Sequence, residues 1–229
     1  MFDFHSHILP CMDDGSKSVE ESAEILYESS RQGITGIAAT PHFYADTMIP
    51  DSFLKKRKCS FDMLKPYIKS DLPAIRLGAE VHYFDGISSS DDMLKLRIEG
   101  TSLLLVEMPL VRWTSHMCDT LSILNSHKEI TVILAHIERY VPFQKTDIIY
   151  TLQRQGILMQ ASADFFINRR YRRKAFGMMQ NGMIDVLGSD CHNIKERPQN
   201  LGMAVKAIRE ALGEKYIDIL LETENELLK

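Results

Sequence analysis

His5 and His7 stand one residue apart in Phe4-His5-Ser6-His7, and at that spacing a strand presents both imidazoles on one face, about 7 Å of backbone apart. Neutral imidazole is the commonest protein ligand for transition metals, so two such rings need either a cation between them or hydrogen-bond partners. An isolated pair has a plainer reading, as core or surface histidines. The other ionisable residues weigh against it.

Seven short apolar runs, near residues 2–6, 34–40, 74–81, 102–107, 131–136, 156–161 and 184–189, alternate with amphipathic stretches, which predicts parallel βα units. His5 and His7 end the first run and Asp13 and Asp14 lie in the loop beyond it. His42 follows the second, Glu80 and Glu107 end the third and fourth, His136 ends the fifth, and Asp190 and His192 follow the seventh. All fall at carboxyl ends of strands, the face of an α/β barrel on which active sites are built. Glu80 and Glu107 interrupt or close runs that otherwise read as buried. Burying that much charge without a cation would cost several kcal/mol per group, so the pattern predicts a polynuclear metal centre. Asp13-Asp14-Gly15 also reads as an ordinary turn. His82, His116 and His127 do not join the pattern, although His82 lies near enough to serve as pocket wall.

The elements that must hold these residues are punctuated clearly. Ser18-Val19-Glu20-Glu21 is a capping box, with Val19, Ala23 and Leu26 at helical spacing and Gly33 as the stop. Pro198 fits a first helical position, followed by the stripe Leu201, Val205, Ile208 and Leu212 and a stop at Gly213. The segment 41–52 reads as an irregular loop over the site. No linker, repeat or low-complexity stretch divides the 229 residues, so one α/β domain over 1–229 is expected.

Composition narrows the partners. With a formal net charge of −4 and basic residues read as dispersed, neither nucleic acid nor an anionic membrane is expected to bind. No apolar stretch approaches the ~18 residues of a membrane span, and no signal peptide precedes the first strand. Cys11, Cys59, Cys118 and Cys191 share no C-x-x-C spacing, which fits a reduced, cytoplasmic protein.

His5-Ser6-His7-Ile8-Leu9-Pro10 with Asp13-Asp14-Gly15-Ser16, then Thr40-Pro41-His42, Gly78-Ala79-Glu80, Val106-Glu107, Ala135-His136-Ile137-Glu138-Arg139-Tyr140 and Ser189-Asp190-Cys191-His192-Asn193 together resemble the PHP (polymerase and histidinol phosphatase) superfamily. The resemblance is narrowest to its bacterial manganese-dependent protein-tyrosine phosphatases of capsule and exopolysaccharide systems, and it covers the chain in motif order. It implies a distorted seven-stranded (β/α)7 TIM-like barrel holding three divalent ions. One would take His5, His7, Glu80 and Asp190; another Glu80, Glu107 and His136; the third Asp14, His42 and His192. It further implies that Arg139 and Arg197 hold the phosphate, a task suited to a planar guanidinium fork. The implied substrate is a phosphotyrosyl protein, a polysaccharide-assembly tyrosine kinase, with phosphate as product.

Nitrogen and oxygen donors without thiolates suit manganese, iron or zinc alike. Such ions would generate hydroxide for in-line attack on phosphorus. A phenol leaving group, with a pKa near 10, needs little help from an acid; a metal-bound water or His42 can supply it. Phe43, Tyr44, Phe165, Phe166 and Tyr171 are candidate walls for an aromatic ring.

Cys191 and Arg197 have the C-x5-R spacing of cysteine-dependent phosphatases, but the intervening His192-Asn193-Ile194-Lys195-Glu196 places a carboxylate where a phosphate cradle needs small residues. A thiolate mechanism is therefore not expected. Cys191 has two other readings, a redox-sensitive thiol and a small packed side chain. Glu222-Thr223-Glu224-Asn225 lacks an Asn-Pro that the resemblance would place near this end, which leaves a role in oligomerisation without support. Two other classes compete with the leading reading. One is a small-molecule phosphomonoesterase of the histidinol-phosphatase type, which acid groups in the pocket would favour. The other is a non-catalytic module stabilised by metal, which would not need the arginines.

Overall fold

A computed structural model describes residues 1–229. In chain order it runs β1 (Phe2–Ser6), α1 (Val19–Arg31), β2 (Gly36–Ala39), β3 (His42–Phe43), α2 (Pro50–Leu64), β4 (Ala74–Leu77), β5 (Glu80–His82), α3 (Met93–Leu96) and β6 (Leu103–Glu107). It continues with α4 (Ser115–Ser126), β7 (Thr131–Leu134), α5 (Ile137–Tyr140), α6 (Thr146–Arg154), β8 (Leu158–Ser162), α7 (Asp164–Ile167), α8 (Arg172–Gln180), β9 (Val186–Gly188), α9 (Leu201–Leu212) and α10 (Glu214–Leu227).

Every strand pairing is parallel, in the orders β1-β2-β4 and β3-β5-β6-β7-β8-β9. The two sheets run into each other, because Gly78 donates its N–H to Ala39 at 2.8 Å and Glu80 donates to Pro41 at 3.0 Å across the β2/β3 and β4/β5 breaks. At the other edge Ser6 bridges Cys191, with His7 donating to the Cys191 carbonyl at 2.8 Å and Asp190 to that of His5 at 2.9 Å. The result is a curled parallel α/β sheet with helices outside it. No helix is long and apolar enough to cross a membrane.

Period-two alternation decides what fills the curl. Leu103 and Leu105 of β6, Ile133 of β7 and Val186 of β9 pack with Phe2, Phe4 and Ala38 into an inner apolar plug. Their alternates Leu104, Val106, Val132, Leu134 and Leu187 face the larger core beneath the helices. The inner face turns polar as each strand rises: Glu107 follows Leu105, Gln160 and Ser162 follow Leu158, and Asp190 follows Gly188. The first strand departs from this rule. Phe2 and Phe4 reach the inner plug, so strict alternation would send His5 outward, yet its ring meets Gln160 inside. The register shift between Asp3 and Ser6 accounts for it, since an irregularity of this kind re-aims the residues that follow.

Several expectations need correction. The segment 41–52 is not all loop, since it contains β3 and the start of α2 at Pro50. Ser18 caps α1 through the Glu21 N–H, but the returning Glu21 carboxylate takes the Lys17 N–H at 2.8 Å, one residue before the capping-box position. Pro198 lies outside α9, whose N-cap is Asn200. Leu201 and Ile208 are buried while Val205 and Leu212 are only partly so, and Gly213, at φ +91°, provides the stop. Nor are the basic residues dispersed: Arg169, Arg170, Arg172, Arg173 and Lys174 form one exposed run.

Candidate metal centre

The side chains of His5, His7, Asp14, His42, Glu80, Glu107, His136, Asp190 and His192 converge at the carboxyl ends of the strands. Glu80 is central: its Oε1 lies 2.7 Å from His136 Nε2, and its Oε2 lies 2.8 Å from His42 Nδ1 and 3.4 Å from both His5 Nε2 and His7 Nε2. Asp190 Oδ1 stands 3.7 Å from the same two Nε2 atoms. On the outer side Asp14 Oδ1 is 3.4 Å from His42 Nε2 and from His192 Nε2.

A second layer of residues aims the rings. His7 Nδ1 meets Asp13 Oδ2 at 2.8 Å, His5 Nδ1 meets Gln160 Oε1 at 3.2 Å, His136 Nδ1 meets Ser162 Oγ at 3.3 Å and His192 Nδ1 meets the Asp190 carbonyl at 3.0 Å. With each proton assigned to Nδ1 by its acceptor, each Nε2 lone pair faces the centre, as in metal-ligating histidines. The consequence is visible at His5 and His7, whose Nε2 atoms are 3.1 Å apart. Two nitrogens about 2.1 Å from one ion are separated by a similar span. Buried atoms in the centre also lack hydrogen-bond partners: His42 Nδ1, Glu80 Oε2, Asp190 Oδ1 and His192 Nε2. Acceptors facing acceptors in a buried site fit cations between them.

The electrostatics agree. Burial opposes charge on His7, but hydrogen bonding to Asp13 and Glu80 outweighs it and pushes its pKa up to about 10. His5 is likewise raised against burial, by Glu80 and Asp190. Burial would raise Glu80, yet His5 and His136 hold it well below the usual carboxylate range. The pocket therefore stabilises positive charge. His192 behaves oppositely, driven down to about 4 by burial and by His7, so it stays neutral with a free lone pair.

Backbone conformation carries the cost of this arrangement. His136 and Asp190 adopt left-handed φ of +48° and +53°, a strained choice for residues with side chains and one that clusters at functional sites. Two glycines make room. A Cβ on Gly188 would lie 2.5 Å from the Cβ of His5, and one on Gly15 would lie 2.3 Å from the His7 carbonyl oxygen.

Arg139 and Arg197 arrive from α5 and from the loop after β9, and both donate to Asp190 Oδ2, at 2.7 and 2.5 Å. They line a cleft of about 730 Å³ whose wall includes Phe165 and Tyr171. Tyr44 borders a second hollow, of about 470 Å³, together with Asp14 and His42. Phe43 and Phe166 are not walls; both are buried in the core, packed against Phe53 and Phe176. His82 meets Glu107 Oε2 at 3.4 Å and Tyr44 at 5.4 Å, at the rim, while His116 and His127 stay in and beside α4.

The thiolate alternative finds no support. Cys191 is fully buried and burial pushes its thiol pKa up, whereas reactive thiols are partly exposed and lowered. The amides of Lys195, Glu196 and Arg197 that a phosphate cradle would use all donate to Asn193 Oδ1, at 3.0, 2.7 and 3.2 Å.

The residues that sequence reasoning missed are the second layer. Gln160 is hidden in a run read as apolar, Ser162 stands just past its end, and Asp13, placed at the carboxyl end of the first strand, was given no role beyond a turn. Distance grouping does not reproduce the three ligand sets implied by resemblance: His7 falls with Asp14, His42 and His192 as well as with His5 and Glu80, and His42 also groups with Glu80 and Glu107.

The family model for capsular polysaccharide synthesis, CpsB/CapC, matches residues 1–229. The chain belongs to that family. Tyrosine-protein phosphatase CpsB of Streptococcus agalactiae is 25% identical over 254 residues, spanning 100% of this chain and 98% of that protein. Tyrosine-protein phosphatase YwqE of Bacillus subtilis is 26% identical over 240 residues, spanning 100% and 92%. Among solved structures, a chain from work on YwqE of B. subtilis and CpsB of Streptococcus pneumoniae, described as metal-dependent tyrosine phosphatases, superposes with a TM-score of 0.79 at 23% identity, covering 100% of this chain and 94% of that one. The phosphotriesterase homology protein of Escherichia coli shares the fold at a TM-score of 0.58 and 9% identity, over 100% and 98%.

Proposed function

We propose that this member of the CpsB/CapC family is a metal-dependent protein-tyrosine phosphatase acting in the cytoplasm on a tyrosine kinase of capsular polysaccharide assembly. One observation carries the reading: nine imidazole and carboxylate donors converge beside two guanidinium groups that share Asp190 at the head of an aromatic-walled cleft. Its relatives bear the name tyrosine-protein phosphatase across nearly their whole length.

The donors would hold three divalent ions, manganese with iron and zinc as alternatives, as His5/His7/Glu80/Asp190, Glu80/Glu107/His136 and Asp14/His42/His192, a division that rests on the family resemblance. Such ions supply positive charge to the phosphoryl oxygens and acidify a bound water. The protein's own groups do the rest. Asp13, Gln160 and Ser162 keep the imidazoles turned inward, and Arg139 and Arg197 offer guanidinium forks to the phosphate oxygens. Phe165 and Tyr171 flank the path of an aryl group. Because a phenol leaves readily, no dedicated proton donor is required among the protein's own groups. The nine short strands count as seven staves of a (β/α)7 barrel if β2 with β3, and β4 with β5, are each one stave broken at Thr40-Pro41 and at Gly78-Ala79.

A second reading has one observation in its favour. Glu138, Asp164 and Glu196 also line the cleft and would suit an amine-bearing small phosphate ester. Phosphate release from a phosphotyrosyl peptide and from histidinol phosphate, using chelator-stripped protein with and without manganese, separates the two. Metal-dependent turnover of the peptide is expected; preference for histidinol phosphate would install the small-molecule reading, and activity persisting in verified metal-free protein would remove both.

A further inference from the structure

We infer that the basic run at the start of α8 is a docking rim for acidic residues flanking the phosphotyrosine of the substrate, an inference that rests on the phosphatase reading above. Arg169, Arg170, Arg172, Arg173 and Lys174 are all exposed in a chain of net charge −4. The ion pairs of this face go to Arg139 and Arg197 instead, which leaves the five without a carboxylate partner. Three of them occupy the first turn of α8, where the helix dipole disfavours cations, and that turn has no acidic residue and no side-chain cap. Helix stability therefore does not explain the run.

Position does. Tyr171, at the centre of the run and 43% exposed, and Lys174 line the same cleft as Arg139 and Arg197, so one ligand can reach the arginine pair and the rim together. Tyr171 is also steadied by the Arg170 guanidinium, 5.4 Å above its ring. The floor of the cleft is itself mixed: Glu138, Asp164 and Glu196 oppose Arg139, Arg197 and Lys174. Selectivity for anionic flanks must then come from the four arginines outside it. A phosphotyrosyl peptide rich in Asp and Glu matches this layout, its phosphate at the centre and its carboxylates over α8. An anionic bilayer would use the rim without the cleft.

The test compares two phosphotyrosyl peptides of equal length, one with Asp and Glu flanks and one with Ser and Gln, on manganese-loaded enzyme. Wild type is expected to show a KM about tenfold lower for the acidic peptide, an advantage that shrinks as salt is added. Arg172→Glu/Arg173→Glu, alone or with Arg169→Glu, should abolish that preference, the matching Arg→Lys variants should keep it, and turnover of para-nitrophenyl phosphate should be unchanged in all. Equal KM values on wild type, or a preference surviving charge reversal, would overturn the rim while leaving the phosphatase reading intact. Fluorescence anisotropy with the same sequences carrying a non-hydrolysable phosphonate reads the rim independently of hydrolysis. Charge-reversal-sensitive binding without turnover of any phosphopeptide would sink the phosphatase reading alone. Binding to phosphatidylglycerol vesicles through the run, with the two peptides indistinguishable, would assign it to membrane.

Discussion

At the centre His5, His7, His136 and His192 are each fixed by one hydrogen bond at Nδ1, and that single contact decides where the lone pair points. Asp13→Asn keeps the size of the side chain but weakens the acceptor for His7, so metal affinity is expected to fall by about 10- to 100-fold, the usual effect of removing such a support. Isothermal titration with manganese checks this; unchanged affinity would make Asp13 a turn residue only. Gly188→Ala tests the same geometry from behind, since its Cβ would strike that of His5, and activity should be lost even where circular dichroism shows the fold retained. Cys191→Ala should remain active, because the thiol is buried with its pKa raised; a dead variant that still binds metal would reopen the thiolate route.

The strands explain why the ligands were legible and their supports were not. A histidine or glutamate at the end of an apolar run is visible in one dimension, as Glu80 and Glu107 show. Gln160 supports His5 from 155 residues away, so its role exists only once β8 and β1 face each other across the curl. The shift in β1 was equally hidden, because a pattern of alternating residues contains no sign of the extra residue that changes its phase. Pro198 misled for a local reason: a proline suits a first helical turn, but here the chain spends Gln199 and Asn200 on tertiary bonds before α9 begins, Gln199 reaching Asp3 at 2.9 Å. The basic run of residues 169–174 was overlooked because the basic residues were read as dispersed along the chain, whereas these five stand within six positions.

Taken as a whole, the molecule should depend on its ions for stability as well as for activity. Binding to the folded state alone stabilises by mass action, about 4 kcal/mol at a thousandfold excess over Kd, or roughly 8–16 °C in Tm for a chain of this size. Differential scanning fluorimetry of stripped and manganese-loaded protein measures it. The pH dependence has a definite sign. In stripped protein His7, raised to about 10, contributes stability that is complete below the unfolded value near 6.5 and lost as pH rises toward 10. Ions compete with the same proton, so they bind better as it leaves. The gap in Tm between loaded and stripped protein should therefore widen from pH 6 to pH 9; a gap that narrows would contradict the assignment of His7.

The bridge between Ser6 and Cys191 has a consequence for synthesis. His5 and His7 are synthesised 185 residues ahead of Asp190 and His192. Until β9 has been made and has docked against β1, the histidine pair lacks both the carboxylate and the strand that hold it in place. Catalytic competence is thus a late event in the life of each molecule. A chain truncated at residue 180 should show no tight manganese binding at His5 and His7 by isothermal titration, while the full chain should show it.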